Sequence, residues 1–213
     1  MFWDAATGKP AGEPLRHEDP VIAASFSPDG RTVLTATAGE GEGGRAQLWD
    51  VTAGKRLGRP LPFLGEGLKG LRHGQSLPCS PGVSTAAFSP DGKTVLTAVE
   101  GGLRVWDAAT RKPIGEPLRP PDDKSPFPTA AFGPDGRVIL TARGSVLQLW
   151  DASAQKPIDA PLRCPGWEAR FVGLAFSPDG RTFLTGGSDG IARLWRVPAP
   201  LDGEGEQIGR AHV

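Results

Sequence analysis

The sequence predicts an all-β protein assembled from small antiparallel sheets that repeat along the chain. Three observations carry this. The pentapeptide FSPDG or FGPDG occurs four times, beginning at Phe26, Phe88, Phe132 and Phe176. Each copy is followed by a β-branched run (RTVLTA, KTVLTA, RVILTA or RTFLTG) and then by a segment closing on tryptophan: AQLWD to Asp50, LRVWD to Asp107, LQLWD to Asp151, ARLWR to Arg196. Thirty Gly and 22 Pro favour many tight turns over long helices.

Each unit reads as four short strands. The first, VIAASF at 21–26 in the first copy, is rich in small side chains that allow close backbone approach at a crowded centre. The Pro-Asp-Gly after it makes a hairpin turn: proline pre-sets φ, aspartate tolerates the next position, and glycine takes the positive φ. The second strand, TVLTA, is β-branched and suits a buried sheet. The third carries a tryptophan large enough to fill the space between neighbouring sheets. The fourth is the GKPAGEPL type, residues 8–15, with counterparts ending at Leu61, Leu118 and Leu162. Three of these four copies hold two prolines, which cannot donate ladder hydrogen bonds and so belong on an outer edge. Trp49, Trp106, Trp150 and Trp195 are separated by 57, 44 and 45 residues, and Trp3 lies 46 before Trp49, in phase with them. Four-stranded sheets at this period predict a β-propeller.

FSPDG, LTA and LWD in register resemble the WD40 repeat family across residues 1–197, and WDAATGKPxGEPL is most similar to its bacterial type. The resemblance implies about four four-stranded blades, in units of approximately 3–49, 50–106, 107–150 and 151–195, followed by a flexible tail at 198–213. It also implies a hydrogen-bonded set of His, Ser/Thr, Asp and Trp in each blade. The first blade offers His17, Thr35 and Trp49, with Gly43 at the Asp position; the second offers Thr97 and Trp106, with Cys79 and Glu100 at the others. The third offers Thr141 and Trp150, and the fourth Thr185, Asp189 and Trp195, with Trp167 where His belongs. No blade has the whole set, which predicts blades less rigid than consensus repeats.

The family closes its rings with an N-terminal strand completing the last blade, and by that count GKPAGEPL closes a ring of four. Trp3-Asp4 is then surplus. The alternatives are a C-terminal piece of a longer array, a shortened product, or half of a larger, eight-bladed ring. An open array leaves edges prone to self-association.

Composition narrows the function. With 24 basic and 24 acidic side chains the formal net charge is zero, which gives no general attraction to nucleic acid or to an anionic membrane; neither is expected as a partner. No apolar run is long enough to span a bilayer and no signal peptide is written at the start. Cys79 and Cys164 lack metal-like spacing and read as free thiols. Together these favour a cytoplasmic location. There is no nucleophile elbow, P-loop or H-E-x-x-H motif, so the expectation is no enzyme, no metal and no cofactor.

What remains is departure from the repeat. The interval from Trp49 to Phe88 is 39 residues, against 23 to 26 elsewhere, and the added stretch at 63–80 combines Phe63 with Lys69, Arg72 and His73. Trp167 is out of phase, on a connection flanked by Arg163 and Arg170, and suits a partner anchor. These residues predict a partner-binding face on the side of the disc that carries the Asp189 turn. The leading expectation is a non-catalytic scaffold for a protein or peptide partner. The alternatives are a fragment that completes a larger propeller of a multi-domain, kinase-like signalling protein, and a propeller hydrolase.

Overall fold

The computed structural model describes residues 2–3, 6–11, 13–37, 45–62, 85–99, 102–119, 129–163 and 171–198. Their only regular structure is β. Four antiparallel sheets follow one another along the chain. The first holds β3 (Val21–Phe26), β4 (Thr32–Thr37) and β5 (Arg45–Asp50), with β6 (Lys55–Arg56) and β7 (Leu61–Pro62) both paired to β5. The second runs β8 (Thr85–Phe88), β9 (Thr94–Val99), β10 (Gly102–Asp107), β11 (Pro113–Leu118). The third holds β12 (Thr129–Phe132), β13 (Val138–Arg143) and β14 (Val146–Asp151), with β15 (Lys156–Pro157) and β16 (Leu162–Arg163) both on β14. The fourth has three strands among the described residues: β17 (Phe171–Phe176), β18 (Thr182–Gly187) and β19 (Ala192–Arg196). The architecture is that of a partial β-propeller.

The N-terminal GKPAGEPL does not complete the fourth sheet. Its strand, β2 (Pro10–Ala11), pairs with β1 (Phe2–Trp3) in a separate hairpin. The register Trp3↔Pro10 is the one that Trp106↔Pro113 and Trp150↔Pro157 make inside their sheets. A third-strand ending a few residues upstream captures this segment locally, at far less loop-closure cost than a partner at the other end of the chain.

The hairpins form as their residues dictate. Gly30, Gly92, Gly136 and Gly180 take φ of 69°, 71°, 72° and 69°. In the first turn Ser27 Oγ donates to Asp29 Oδ1 at 2.6 Å and accepts from Thr32 N–H at 2.9 Å, while Arg31 N–H donates to the same carboxylate at 3.0 Å. The second and fourth turns repeat this through Ser89 and Asp91, and through Ser177 and Asp179.

The core lies between sheets, because each strand alternates its side chains and so gives each sheet two faces that neighbouring sheets can bury. Leu34, Ala36, Ala46 and Leu48 meet Val95 and Trp106 of the next sheet. Leu96, Ala98, Leu103 and Val105 meet Ile139 and Trp150. Leu140, Ala142, Leu147 and Leu149 meet Phe183 and Trp195. Beneath each tryptophan sits a buried threonine. Trp49, Trp106, Trp150 and Trp195 donate through Nε1 to Oγ1 of Thr35, Thr97, Thr141 and Thr185 at 2.8, 2.9, 3.0 and 2.9 Å.

Candidate functional site: a cleft between the third and fourth sheets

In a four-stranded meander, the turns joining strands one to two and three to four lie at the same end of the sheet. At this end a cleft of about 1020 Å³ opens between the third and fourth sheets. Val138, Ile158, Phe176 and Val197 give it an apolar floor continuous with the core there. Asp135, Arg137, Asp179, Arg181 and Arg196 ring it with charge and are exposed. The corresponding cleft between the first two sheets holds about 440 Å³.

Two departures from the repeat line the larger cleft. Gly133 stands where the other turns have Ser27, Ser89 and Ser177, so the third turn lacks the hydroxyl that braces the others. Arg196 stands where the other third strands end in Asp50, Asp107 and Asp151. Those aspartates cap the turn that follows them: Asp151 Oδ1 accepts from Ser153 N–H and Ala154 N–H at 2.8 and 2.7 Å. Arg196 makes no such cap and instead adds a third guanidinium to the rim.

The carboxylates here are committed acceptors. Hydrogen bonds from the Ala154 amide and the Ser153 hydroxyl hold Asp151 below the usual carboxylate range. The Ser177 hydroxyl and the Arg181 amide do the same for Asp179. A carboxylate held ionised by donors in its own turn is poorly placed for general acid or base work near neutral pH. Among the described residues there is also no group of three His, Cys, Asp or Glu placed to hold a metal, and no helix long and apolar enough to cross a membrane.

The face expected from the sequence is the opposite one. Arg163 is exposed, opposite Val146, at the other end of the third sheet. Phe63, Lys69, Arg72, His73, Trp167 and Arg170 lie outside the described residues, as do Cys79, Cys164 and the tail from 199 on. Of the family-type positions, His17 meets the Trp49 ring edge-on at 5.0 Å, and Arg56 lies 5.3 Å from the same ring. That contact is aromatic packing, with no hydrogen bond from His17 to Thr35. Burial, and then the Arg56 charge, lower the His17 pKa. Asp189 turns outward, accepting from Arg193 Nη2 at 2.8 Å and from Ile191 N–H at 3.1 Å. The signals for the cleft were present in the sequence as FGPDG against FSPDG and LWR against LWD. Both are single substitutions inside conserved-looking copies, and they draw less notice than an insertion or an out-of-phase tryptophan.

The family model of the WD domain, G-beta repeat, matches residues 8–50, 72–107 and 162–196. No match was found among curated proteins. The matched segments cover more than half of the sequence and coincide with the Pro-Asp-Gly hairpins and tryptophan strands of three of the four sheets, so the chain belongs to the WD40 repeat family.

Proposed function

We propose that this protein is a non-catalytic scaffold whose cleft between the third and fourth sheets binds an extended segment of a protein partner. WD40 repeats generally mediate protein–protein interaction and are typically non-catalytic, which supports the general role. The observation that carries the site is the pairing of an apolar floor with a rim of three arginines and the turn aspartates. An apolar anchor flanked by acidic residues fits that arrangement: the anchor fills the floor, and carboxylates meet Arg137, Arg181 and Arg196. The neutral formal charge and the reading of Cys79 and Cys164 as free thiols support a cytoplasmic setting, and the WDAATGKPxGEPL phrase supports the bacterial type.

The opposite face, with Trp167 and Arg72, is the second reading, favoured by the insertion at 63–80. One experiment separates the two. Peptides selected on the purified chain from a displayed library are titrated against Arg181→Glu/Arg196→Glu and against Trp167→Ala/Arg72→Ala. The cleft reading expects selected peptides to be acidic around an apolar residue and to lose at least tenfold in affinity on the first variant only. Loss on the second variant alone moves the site to the other face, and selection of no peptide counts against both.

A further inference from the structure

Each internal junction joins two unlike faces. The trailing face of one sheet presents a leucine on the second strand and an aliphatic residue on the third. The leading face of the next presents the inner-strand phenylalanine, a β-branched or aromatic residue, and the tryptophan. The tips of the hairpin turns stack at the same places: a Cβ on Gly92, Gly136 or Gly180 would lie 3.3, 3.4 or 3.1 Å from Pro28, Pro90 or Pro134 of the preceding sheet.

Among the described residues, the array leaves exposed the trailing face of the fourth sheet and, on the leading face of the first, the inner strand; Val33 and Trp49 of that leading face are buried. On the trailing face of the fourth sheet Leu184 is 45% and Leu194 59% exposed, whereas their counterparts Leu34 and Leu48 are 0% and 4%. On the leading face of the first sheet Phe26 is 58% and Val21 47% exposed, whereas Phe171, the counterpart of Val21, is 8%. A Cβ on Gly30 would meet nothing within 4 Å, so the turn-tip stack is also unmade there. The outer edge of β19 has no paired strand among the described residues. Apolar surface of this kind in a sheet face and edge marks an interaction surface.

We propose that the trailing face of the fourth sheet docks on the exposed inner strand of the first sheet of a second copy of this chain, forming a further sheet-to-sheet junction. The occupant is identified by shape. Leu184 and Leu194 call for a face carrying a phenylalanine and a β-branched neighbour, and Pro178 for a turn glycine; the chain presents these at Phe26, Val21 and Gly30. His17 and Arg56 already cover Trp49, so docking centres on the inner strand β3. The contact is heterologous, so it either closes into a ring of copies or extends into a chain of them. It uses other residues than the cleft, and the two proposals can fail separately.

The test is light scattering on the chain over a range of concentrations, with circular dichroism to confirm retained β structure. Leu194→Asp and Phe26→Asp alter exposed positions, so folding should survive. The wild type is expected to show a species of at least twice 22.3 kDa. Each variant alone should raise the concentration for half-assembly at least tenfold. Mixed in equal amounts, the variants should form a two-chain species and nothing larger, because one intact face of each kind remains. A wild type that stays monomeric at every concentration overturns the proposal. Assembly insensitive to both variants also overturns it, as does a mixture that fails to pair.

Discussion

Threonine under tryptophan recurs in all four sheets, and it is decided by hydrogen-bond need. Thr141 and Trp150 are both buried, and the indole Nε1 has Thr141 Oγ1 as its acceptor at 3.0 Å. Thr141→Val keeps the shape and removes the acceptor. It should cost about 1–3 kcal/mol, the range for stranding a buried donor, measured by urea unfolding. A loss near zero would mean that the indole finds another acceptor. The turn aspartates set the acid limit. Asp91 is lowered first by the Ser89 hydroxyl and then by the Lys93 amide, and Asp29 and Asp179 by their matching donors. A lowered folded-state pKa means that the bonds contribute fully above the ordinary value near 3.8 and are lost as pH falls through the folded-state value. Stability should therefore fall below about pH 4, and Ser89→Ala should raise the Asp91 pKa in a carboxyl NMR titration. At this scale the threonines and turn aspartates were legible in the sequence. The edge-on packing of His17 was not, because a position within a repeat does not fix which atoms of a ring meet a neighbour.

The outer strand shows how far a repeat specifies an element. In all three full sheets its ends keep one register: Trp49↔Arg56 with Ala46↔Leu61, Trp106↔Pro113 with Leu103↔Leu118, and Trp150↔Pro157 with Leu147↔Leu162. Only β11 is continuous. In the other two, the residue facing the break is Gln47 or Gln148, whose Nε2 donates to Gly58 O at 3.4 Å or to Asp159 O at 2.7 Å. The second sheet has Arg104 there, its guanidinium 5.7 Å from the Trp106 ring. The prolines announced an edge strand, but its interruption depends on a side chain from the neighbouring strand, beyond what local sequence reports. The turn tips give a matched pair of variants. Gly30→Ala and Gly180→Ala both force an L residue to positive φ, at about 1–2 kcal/mol. Only Gly180→Ala also crowds Pro134, at 3.1 Å, so it should lose more in thermal unfolding. Equal losses would show that the turn-tip stack carries no weight.

At the scale of the molecule, stability is a sum over sheet-to-sheet junctions, as in other repeat arrays. Leu140→Ala, in the junction between the third and fourth sheets, should cost about 2–5 kcal/mol, whereas truncating exposed Leu194 should cost the isolated chain little. Repetition made the fold readable, because four copies average out the ambiguity of any one. It also hid the proposed site, since Gly133 and Arg196, which depart from the repeat, line the cleft from two sheets that are neighbours in space. The central claim is that the cleft is the partner surface. Hydrogen–deuterium exchange on the chain, with and without a library-selected peptide, tests it most directly. The account predicts slowed exchange at residues 134–138, 179–182 and 196–198. Protection confined to 63–80 and 163–170 would contradict it.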